Sequence, residues 1–239
     1  MILEICVDDL PNLEAAIEGG ADRIELCSAL ALGGLTPSRA MIEAAVERCL
    51  PVHAMVRPRG GDFNYDVEEI SLMTRDIERC VELGVSGVVV GAAKRDATID
   101  ELALARFRDA ARGISIALHR VIDLAPDPVA AARIAAKLGY DFILTSGGKL
   151  NAFDGRQMIS RMVAETSGEL SIIAGSGITP ENAAAVVEDG NVTEIHASAT
   201  GAQSWPDRRI EEFGFANGPR RVTDPSRVAA LKQAISGLE

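Results

Sequence analysis

Eight short apolar runs, rich in β-branched residues, alternate along the chain with segments of helical spacing. The runs occupy residues 2–7, 22–26, 51–56, 86–91, 114–119, 141–145, 170–175 and 192–197. The segments between them have apolar residues at helical intervals and end in glycine, as in LEAAIEGGA and DIERCVELGV. Such alternation indicates parallel strands joined by right-handed crossovers, and eight units are the number that closes a (β/α)8 TIM barrel.

A single α/β barrel also fits the size of the chain. Its 239 residues are 47% hydrophobic but only 4% aromatic, which suits strands that are buried on both faces under alanine-rich helices. An open doubly wound sheet is disfavoured because the turn after the first run reads DDLPN and lacks the glycine fingerprint. No linker or low-complexity segment divides the chain, so we expect one domain over residues 1–239.

The charge and hydropathy patterns restrict the classes of partner. A net charge of −11, with scattered Lys and Arg, disfavours a nucleic-acid surface, and any anion site must therefore be local. No apolar run approaches the ~20 residues that span a bilayer. The chain begins in a strand rather than in a charged leader, so we expect a cytoplasmic protein without membrane or nucleic-acid partners.

Residues 200–223 form a long run that looks irregular before the last helix. We expect this run to be either a mobile loop over the barrel mouth or a surface that packs against another subunit. The second option favours a homo-oligomer, with a dimer as the simplest form.

Polar side chains alternate with apolar ones in the first two strands, in the repeated pattern E-x-C. Glu4 and Cys6 share one face of the first strand, and Glu25 and Cys27 share one face of the second. Neighbouring strands run about 4.8 Å apart, so the two thiols could approach each other. Soft thiolates suit Cu(I), although the same proximity would also permit a disulfide or no function at all.

Further polar residues follow other strands at the carboxyl ends, where barrel enzymes have their active sites. Arg57 follows the third strand, His119 and Arg120 the fifth, and His196 ends the eighth. Their number favours a functional pocket.

The competing interpretation of these charges is structural. Arg23 could pair with Glu25, or Glu4 with Arg57, as ion pairs that only close the barrel, and a buried pair is weak evidence of function.

A glycine-rich turn, GSGITPEN, follows the seventh strand and precedes a helix. Thr179 is the predicted N-cap of that helix, and Pro180 suits its first position. Backbone N–H groups of Gly175, Ser176 and Gly177 could bind an anion, as the loops after strands seven and eight often do in barrels. The alternative is a turn needed only for packing. Lys149, in the turn SGGK, would face the same mouth.

Long blocks of the sequence resemble the CutC family, which is named for copper homeostasis. The blocks are LEICVD, GGADRIELCSAL, GGLTPS, VRPRGGDFNY, ALHRVID, ILTSGG, GSGIT and EIHASA, in family order from residue 1 to about 198. The resemblance implies a (β/α)8 barrel, a cytoplasmic location and a role in copper handling, with Cys6 and Cys27 at the positions suspected of binding Cu(I). The chain departs from the family in LHRVID, where FHRAFD is usual, and in GSG, where three glycines are usual.

These observations lead to one functional prediction and two alternatives. We expect a copper homeostasis protein that binds Cu(I) through Cys6 and Cys27 and needs no organic cofactor. The alternative is an enzyme acting on a small anionic or phosphorylated metabolite. In that case Glu25 or His119 would exchange protons, while Arg57, Arg120 and the GSG turn would hold the anion. The third option is a scaffold without chemistry.

Overall fold

A computed structural model describes residues 1–238 and contains a closed barrel of eight parallel strands in sequence order. The strands are β1 Ile2–Val7, β2 Arg23–Leu26, β3 Val52–Met55, β4 Gly87–Val90, β5 Ser115–Leu118, β6 Phe142–Thr145, β7 Ser171–Gly175 and β8 Glu194–Ala197. The barrel closes because β8 pairs with β1. Each predicted run contains one of these strands, so the predicted TIM barrel is confirmed.

Helices follow the strands and cover the outside of the barrel. They are α1 Leu10–Glu18, α2 Arg39–Val46, α3 Val67–Glu82, α4 Glu101–Ala110, α5 Pro128–Lys137, α6 Ala152–Thr166, α7 Ala183–Gly190, α8 Arg209–Glu212 and α9 Pro225–Ala234, with 3-10 turns at Leu30–Leu32 and Arg120–Leu124. Side-chain caps start most of them; Asp66 and Glu69, for example, form a reciprocal capping box at α3. No helix in the described part of the chain is long and apolar enough to cross a membrane.

The start of α7 differs from the prediction. Thr179 was expected to cap it, but the helix begins at Ala183, after a turn over residues 180–182. The carbonyl of Thr179 accepts from the backbone N–H of Ala183, while the N–H of Thr179 donates to the Asn182 side chain. The extra turn moves the helix away from the glycine turn.

The two sides of the barrel wall have different surroundings. Leu3, Ile5 and Val7 of β1 point outward into the main core between strands and helices. The alternate residues point into the barrel, where a small apolar cluster consists of Cys27, Met55, Val89 and Ala117. Glu4, Arg23, Glu25 and Glu194 are also buried inside the barrel, and the two-residue period places them on the inward face of their strands.

The segment 200–223 is more regular than the sequence predicts. It contains two antiparallel strands, β9 Thr200–Gln203 and β10 Arg220–Thr223. Arg220 bonds to Asp9 at the start of α1, with 2.9 Å between Nη2 and Oδ2, and the Trp205 indole donates to the carbonyl of Gly218. These long-range contacts order a stretch whose local sequence has no strand signal.

Replacement of Gly87 by alanine should destabilise the barrel. A Cβ at this position would lie 2.6 Å from Cδ2 of the buried His53 ring, and overpacking of this kind costs about 1–3 kcal/mol. Gly201→Ala is the matched control, because a Cβ there meets no atom within 4 Å, and its effect should stay within about 0.5 kcal/mol. Urea unfolding of the two variants measures the difference, and equal midpoints would contradict this packing argument.

Candidate functional site

A cavity of about 890 Å³ opens at the carboxyl ends of the barrel strands. Cys6, Glu25, His119 and His196 line it from the barrel interior. The GSG turn and the segment after β8 complete its wall. The cavity therefore lies where the strand ends, and the polar residues they carry, converge.

A chain of buried ion pairs lies beneath the cavity and joins β8, β1 and β2. Glu4 stands opposite Arg23 in the parallel register, with 2.5 Å between Glu4 Oε2 and Arg23 Nε. The same guanidinium reaches Glu194, with 2.6 Å between Nη2 and Oε2, and lies over the ring of Phe142. Arg23 therefore pairs with Glu4 and Glu194, and the expected pair with Glu25 is wrong because Glu25 stands opposite Cys6.

The second oxygen of Glu4 orients the imidazole of His196. Glu4 Oε1 lies 2.8 Å from His196 Nδ1, which directs Nε2 toward Glu25, 3.8 Å from its Oε2. Burial raises the pKa of Glu4, but His196 and Arg23 outweigh this effect and hold its pKa well below the usual range. Burial lowers the pKa of His196, but Glu25 and the other neighbours hold it well above its ordinary value. His196 is therefore a cation between two carboxyl groups.

Three ligand-type side chains meet at the inner end of the cavity. One atom each from Cys6, Glu25 and His196 lies within 4.8 Å of the others, and all three residues are buried. The Cys6 thiol donates to the carbonyl of Ala197 at 3.7 Å. A thiolate, an imidazole and a carboxylate together form a donor set that proteins use for transition metals.

Glu25 has an unused oxygen. Its Oε1 is buried and has no hydrogen-bond partner among the described residues, and its Oε2 accepts from the Cys27 thiol at 3.6 Å. Burial, reinforced by the charge of Glu4, raises the pKa of Glu25 despite the opposing effect of His196. An acid with a raised pKa and a free oxygen can exchange a proton or bond to a ligand.

Cys27 lies deeper than the sequence pattern suggests. It is 1% exposed, belongs to the apolar cluster inside the barrel, and does not line the cavity, whereas Cys6 does. Burial and the nearby Glu25 raise the pKa of the Cys27 thiol well above its ordinary value. The two cysteines of the predicted copper site therefore have different surroundings, and only Cys6 belongs to the cluster with His196.

His119 presents a fixed donor to the cavity. Its Nδ1 accepts from the backbone N–H of Val121 at 3.1 Å, so a neutral ring carries its proton on Nε2. That Nε2 is buried and has no partner within residues 1–238. Burial and the charge of Arg57 lower the pKa of His119 to about 3, and Gly91 leaves room for the ring. His119 is therefore a neutral N–H donor at neutral pH.

Arg57 holds loops together rather than standing free. Its guanidinium donates to the carbonyls of Leu32, Gly34 and Gly61 and lies over the ring of Phe63. The expected pair of Arg57 with Glu4 is not formed. Most N–H groups of the Arg57 guanidinium donate to backbone carbonyls. An anion could therefore bind Arg57, as the sequence predicts, only by displacing these bonds or by accepting from Nε, which has no partner in the described structure.

The other predicted anion contacts differ in position. Arg120 lines the cavity but already bonds to Asp123 and Ser146. Lys149 is exposed and does not line the cavity. Arg120 is thus better placed than Lys149 to meet a ligand in the cavity.

The GSG turn forms one wall of the cavity. Ser176 has a φ of 81° and Gly177 a φ of 68°, and the Ser176 hydroxyl donates to the carbonyl of Leu150. The backbone N–H groups of Gly177 and Ile178 have no acceptor in the described structure. Two backbone donors without acceptors therefore lie on this wall, and the bond from Ser176 to Leu150 holds the turn in place.

Sequence reasoning missed two arginines of the last segment. Arg221 and Arg227 line the cavity although they lie far along the chain from the strand ends. Arg221 lies in β10 and Arg227 in α9, and both are bonded to Thr200 of β9, a contact that has no local signal in the sequence. His53, the one polar residue of β3, was also missed, although the two-residue period of the strand could have revealed its inward orientation.

Comparison with known proteins shows strong similarity over the whole chain. The family model described as CutC family matches residues 1–201. A CutC family protein of Sinorhizobium medicae is 42% identical over 238 residues, covering 100% of this chain and 97% of the relative, and one of Rhizobium meliloti is 44% identical, covering 98% and 95%. The structure of CutC from Streptococcus agalactiae, named for copper homeostasis, superposes with a TM-score of 0.79 at 30% identity, covering 83% and 98%.

An aldolase named QR15 shares only the fold. It superposes with a TM-score of 0.61 at 13% identity, covering 83% of this chain and 89% of its own. This level of identity shows a common barrel architecture and carries no information about the reaction.

The free energy of unfolding should fall as the pH drops below about 6.5. His53 and His119 have pKa values lowered to about 4 and about 3 in the folded protein, whereas both should be near 6.5 in the unfolded chain. The unfolded chain therefore binds more protons in this window, and each histidine lowers stability by up to about 1.4 kcal/mol per pH unit.

His119→Asn isolates one of these contributions. Asparagine retains an acceptor for the Val121 N–H but has no group that titrates here, so the stability of the variant should depend less on pH between about 4 and 6. Urea unfolding at several pH values measures both slopes, and carboxylates affect the two proteins alike. Identical slopes would show that His119 is not buried in its neutral form.

Proposed function

The chain belongs to the CutC family, and from this premise we propose that it takes part in copper homeostasis by binding Cu(I) at the barrel mouth. The observation that carries this proposal is the cluster of Cys6, His196 and Glu25, whose ligand atoms lie within 4.8 Å of one another. The cluster borders the cavity, so an ion could reach it from solvent.

The donor types support a soft ion anchored on Cys6. A thiolate selects Cu(I), and an imidazole nitrogen is a second suitable ligand. Glu4 bonds to His196 Nδ1 and leaves Nε2 for a metal, which is the usual second contact of a metal-binding histidine. A metal bound at Nε2 would take the place of the proton on that nitrogen.

A site made of two sulfurs, Cys6 and Cys27, is the competing arrangement predicted from the sequence. It matches the near-linear preference of Cu(I) for sulfur. Cys27 disfavours this arrangement, because burial raises the pKa of its thiol and because the thiol already donates a hydrogen bond to Glu25. We therefore propose Cys6 with His196 as the main ligands and Cys27 as a secondary sulfur.

Anaerobic titration with Cu(I) against a competing chelator tests both arrangements. Wild type should bind one equivalent, and Cys6→Ser should weaken binding by at least about tenfold, because a lost first ligand should cost no less than the 10–100-fold of a lost supporting contact. Cys27→Ser should have a smaller effect than His196→Gln. Cys80→Ser is the control, since Cys80 is buried in the outer core.

The outcomes separate the models. Equal binding by wild type and Cys6→Ser would contradict a copper site at this rim. A loss on Cys27→Ser that matches the loss on Cys6→Ser would favour the two-sulfur site.

A second candidate function is an enzyme acting on a small anionic metabolite. Two specific observations favour it: Glu25 Oε1 and His119 Nε2 are buried and without partners in the described residues, and both residues line the cavity. Unsatisfied buried polar atoms are costly, and a copper ion would not satisfy a neutral N–H donor. These atoms are suited to a ligand that contains oxygen.

The chemistry available is proton transfer next to a polarised oxygen. Glu25, with its raised pKa, could take up and return a proton, and the neutral N–H of His119 could stabilise charge developing on an oxygen. Proton abstraction beside a carbonyl group is the reaction class that these two roles support.

Exchange of carbon-bound hydrogen tests this second function. In D2O the protein should catalyse loss of the proton signals next to the carbonyl of dihydroxyacetone phosphate, followed by NMR. Glu25→Gln should slow the exchange by about 10²-fold or more, because it removes the proton acceptor. Lys149→Ala should leave the rate unchanged. Exchange that persists in Glu25→Gln would exclude Glu25 as the base.

Four further expectations from the sequence analysis remain predictions. These are the cytoplasmic location, the absence of nucleic-acid and membrane partners, the lack of an organic cofactor and assembly into a homodimer. Phe213 and Phe215, which are 69% and 80% exposed in the segment between β9 and β10, would suit a subunit contact.

A further inference from the structure

We propose that the cavity binds a small organic anion in one orientation. A carbonyl or hydroxyl oxygen of the ligand lies at the inner end of the cavity, which we call the floor, and a phosphate or carboxylate lies at the mouth. At the floor the oxygen meets His119 and Glu25, and at the mouth the anion meets the GSG turn and Arg227. This inference rests on the second function proposed above and adds the substrate class and its orientation.

The floor is a built site for oxygen. His119 and Glu25 are each 4% exposed, and each has one polar atom without a partner in the described part of the chain. His119 offers a donor whose tautomer is fixed by Val121, and Glu25 offers a buried carboxyl oxygen, Oε1, that has no partner among the described residues. A hydroxycarbonyl group supplies both the complementary acceptor and the complementary donor.

The mouth contains free donors for an anion. The N–H groups of Gly177 and Ile178 are unpaired within residues 1–238. Arg221 uses Nε on the Thr200 hydroxyl and Arg227 uses Nη1 on the Thr200 carbonyl, which leaves other nitrogens of each guanidinium available. Charge-assisted bonds from guanidinium to phosphate or carboxylate are short and strong.

Acidic groups near the mouth determine how the anion must be recognised. Glu181 lines the same wall, Asp224 lies 3.8 Å from Arg227 Nε, and the whole chain has a net charge of −11. The average field therefore repels anions. Affinity for an anion must therefore come from direct hydrogen bonds to its charged group. A ligand that lacks this group, such as dihydroxyacetone, should bind more weakly even though the surroundings are acidic.

The volume of the cavity also favours an organic ligand. About 890 Å³ lies within the range of small-molecule sites, and a single metal ion at Cys6 would leave most of it filled by water.

The floor residues lie inside the part of the chain that matches the family model, whereas Arg221 and Arg227 lie beyond residue 201, where the match ends. We therefore assign the choice of anion to the C-terminal segment.

Calorimetry with four probes tests the proposal, in the presence of a Cu(I) chelator so that copper binding does not contribute. The probes are dihydroxyacetone phosphate, hydroxypyruvate, dihydroxyacetone and inorganic phosphate. One of the first two, which carry both groups, should bind at least about tenfold more tightly than either fragment. The better of the two identifies the anion as phosphate or carboxylate.

Paired variants test each end of the ligand. His119→Asn keeps the acceptor for Val121 but lacks the donor at Nε2, and it should weaken binding about two- to tenfold, whereas His119→Gln places an N–H near the lost Nε2 and should bind closer to wild type. Arg227→Met should weaken the anionic probe about tenfold or more but leave dihydroxyacetone unaffected. Lys149→Ala is the exposed control and should match wild type.

The results decide the proposal independently of turnover and of copper. Binding with this dependence supports the proposal even if no hydrogen exchange occurs, in which case only the enzymatic function fails. Absence of binding of both two-group probes to wild type would overturn it. Binding that is unchanged in His119→Asn and Arg227→Met would overturn it as well, because the ligand would then lie elsewhere.

Discussion

The structure depends on one buried ion-pair network at the seam where the barrel closes. Arg23 of β2 is held between Glu4 of β1 and Glu194 of β8, within bonding distance of both. Charges in such an interior are tolerated only when they are paired, and removal of one partner typically costs about 3–5 kcal/mol. The network therefore penalises any shift in register among these three strands.

The same network prepares the site above it. One carboxylate oxygen of Glu4 bonds to Arg23 and the other bonds to His196. A residue that closes the barrel therefore also fixes the imidazole beside Cys6 and Glu25. The proposed copper site uses this fixed ring as a ligand, and in the proposed proton-transfer site the same ring lies beside the base, with His196 Nε2 3.8 Å from Glu25 Oε2. The proposed copper binding and the proposed enzymatic function consequently share a foundation, and they differ in whether the sulfur of Cys6 or the free oxygen of Glu25 meets the ligand.

A second constraint is the crowded interior beside this network. Gly87 and Gly91 lack the side chains that would collide with His53 and His119, and burial keeps both imidazoles neutral. A neutral histidine with a fixed tautomer is a precise hydrogen-bond donor. The interior thus supplies rigid polar groups, while the later segment with Arg227 supplies charge at the opening.

The sequence by itself determined the eight-stranded barrel and the shared face of the polar residues in β1 and β2, because burial imposes a period of two on strands and of 3.6 on helices. It thereby placed Cys6, Glu25, His119 and His196 together at the carboxyl ends of the strands, and all four line the cavity. It could not determine their partners, since the period defines a face and leaves the register between strands open. The tertiary structure alone decided that Arg23 pairs with Glu4 and Glu194, that Arg57 holds loop carbonyls, and that Cys27 lies in an apolar cluster. It also brought the β9–β10 segment to the mouth, because contacts such as that of Arg220 with Asp9 join residues 211 positions apart and leave no local signal.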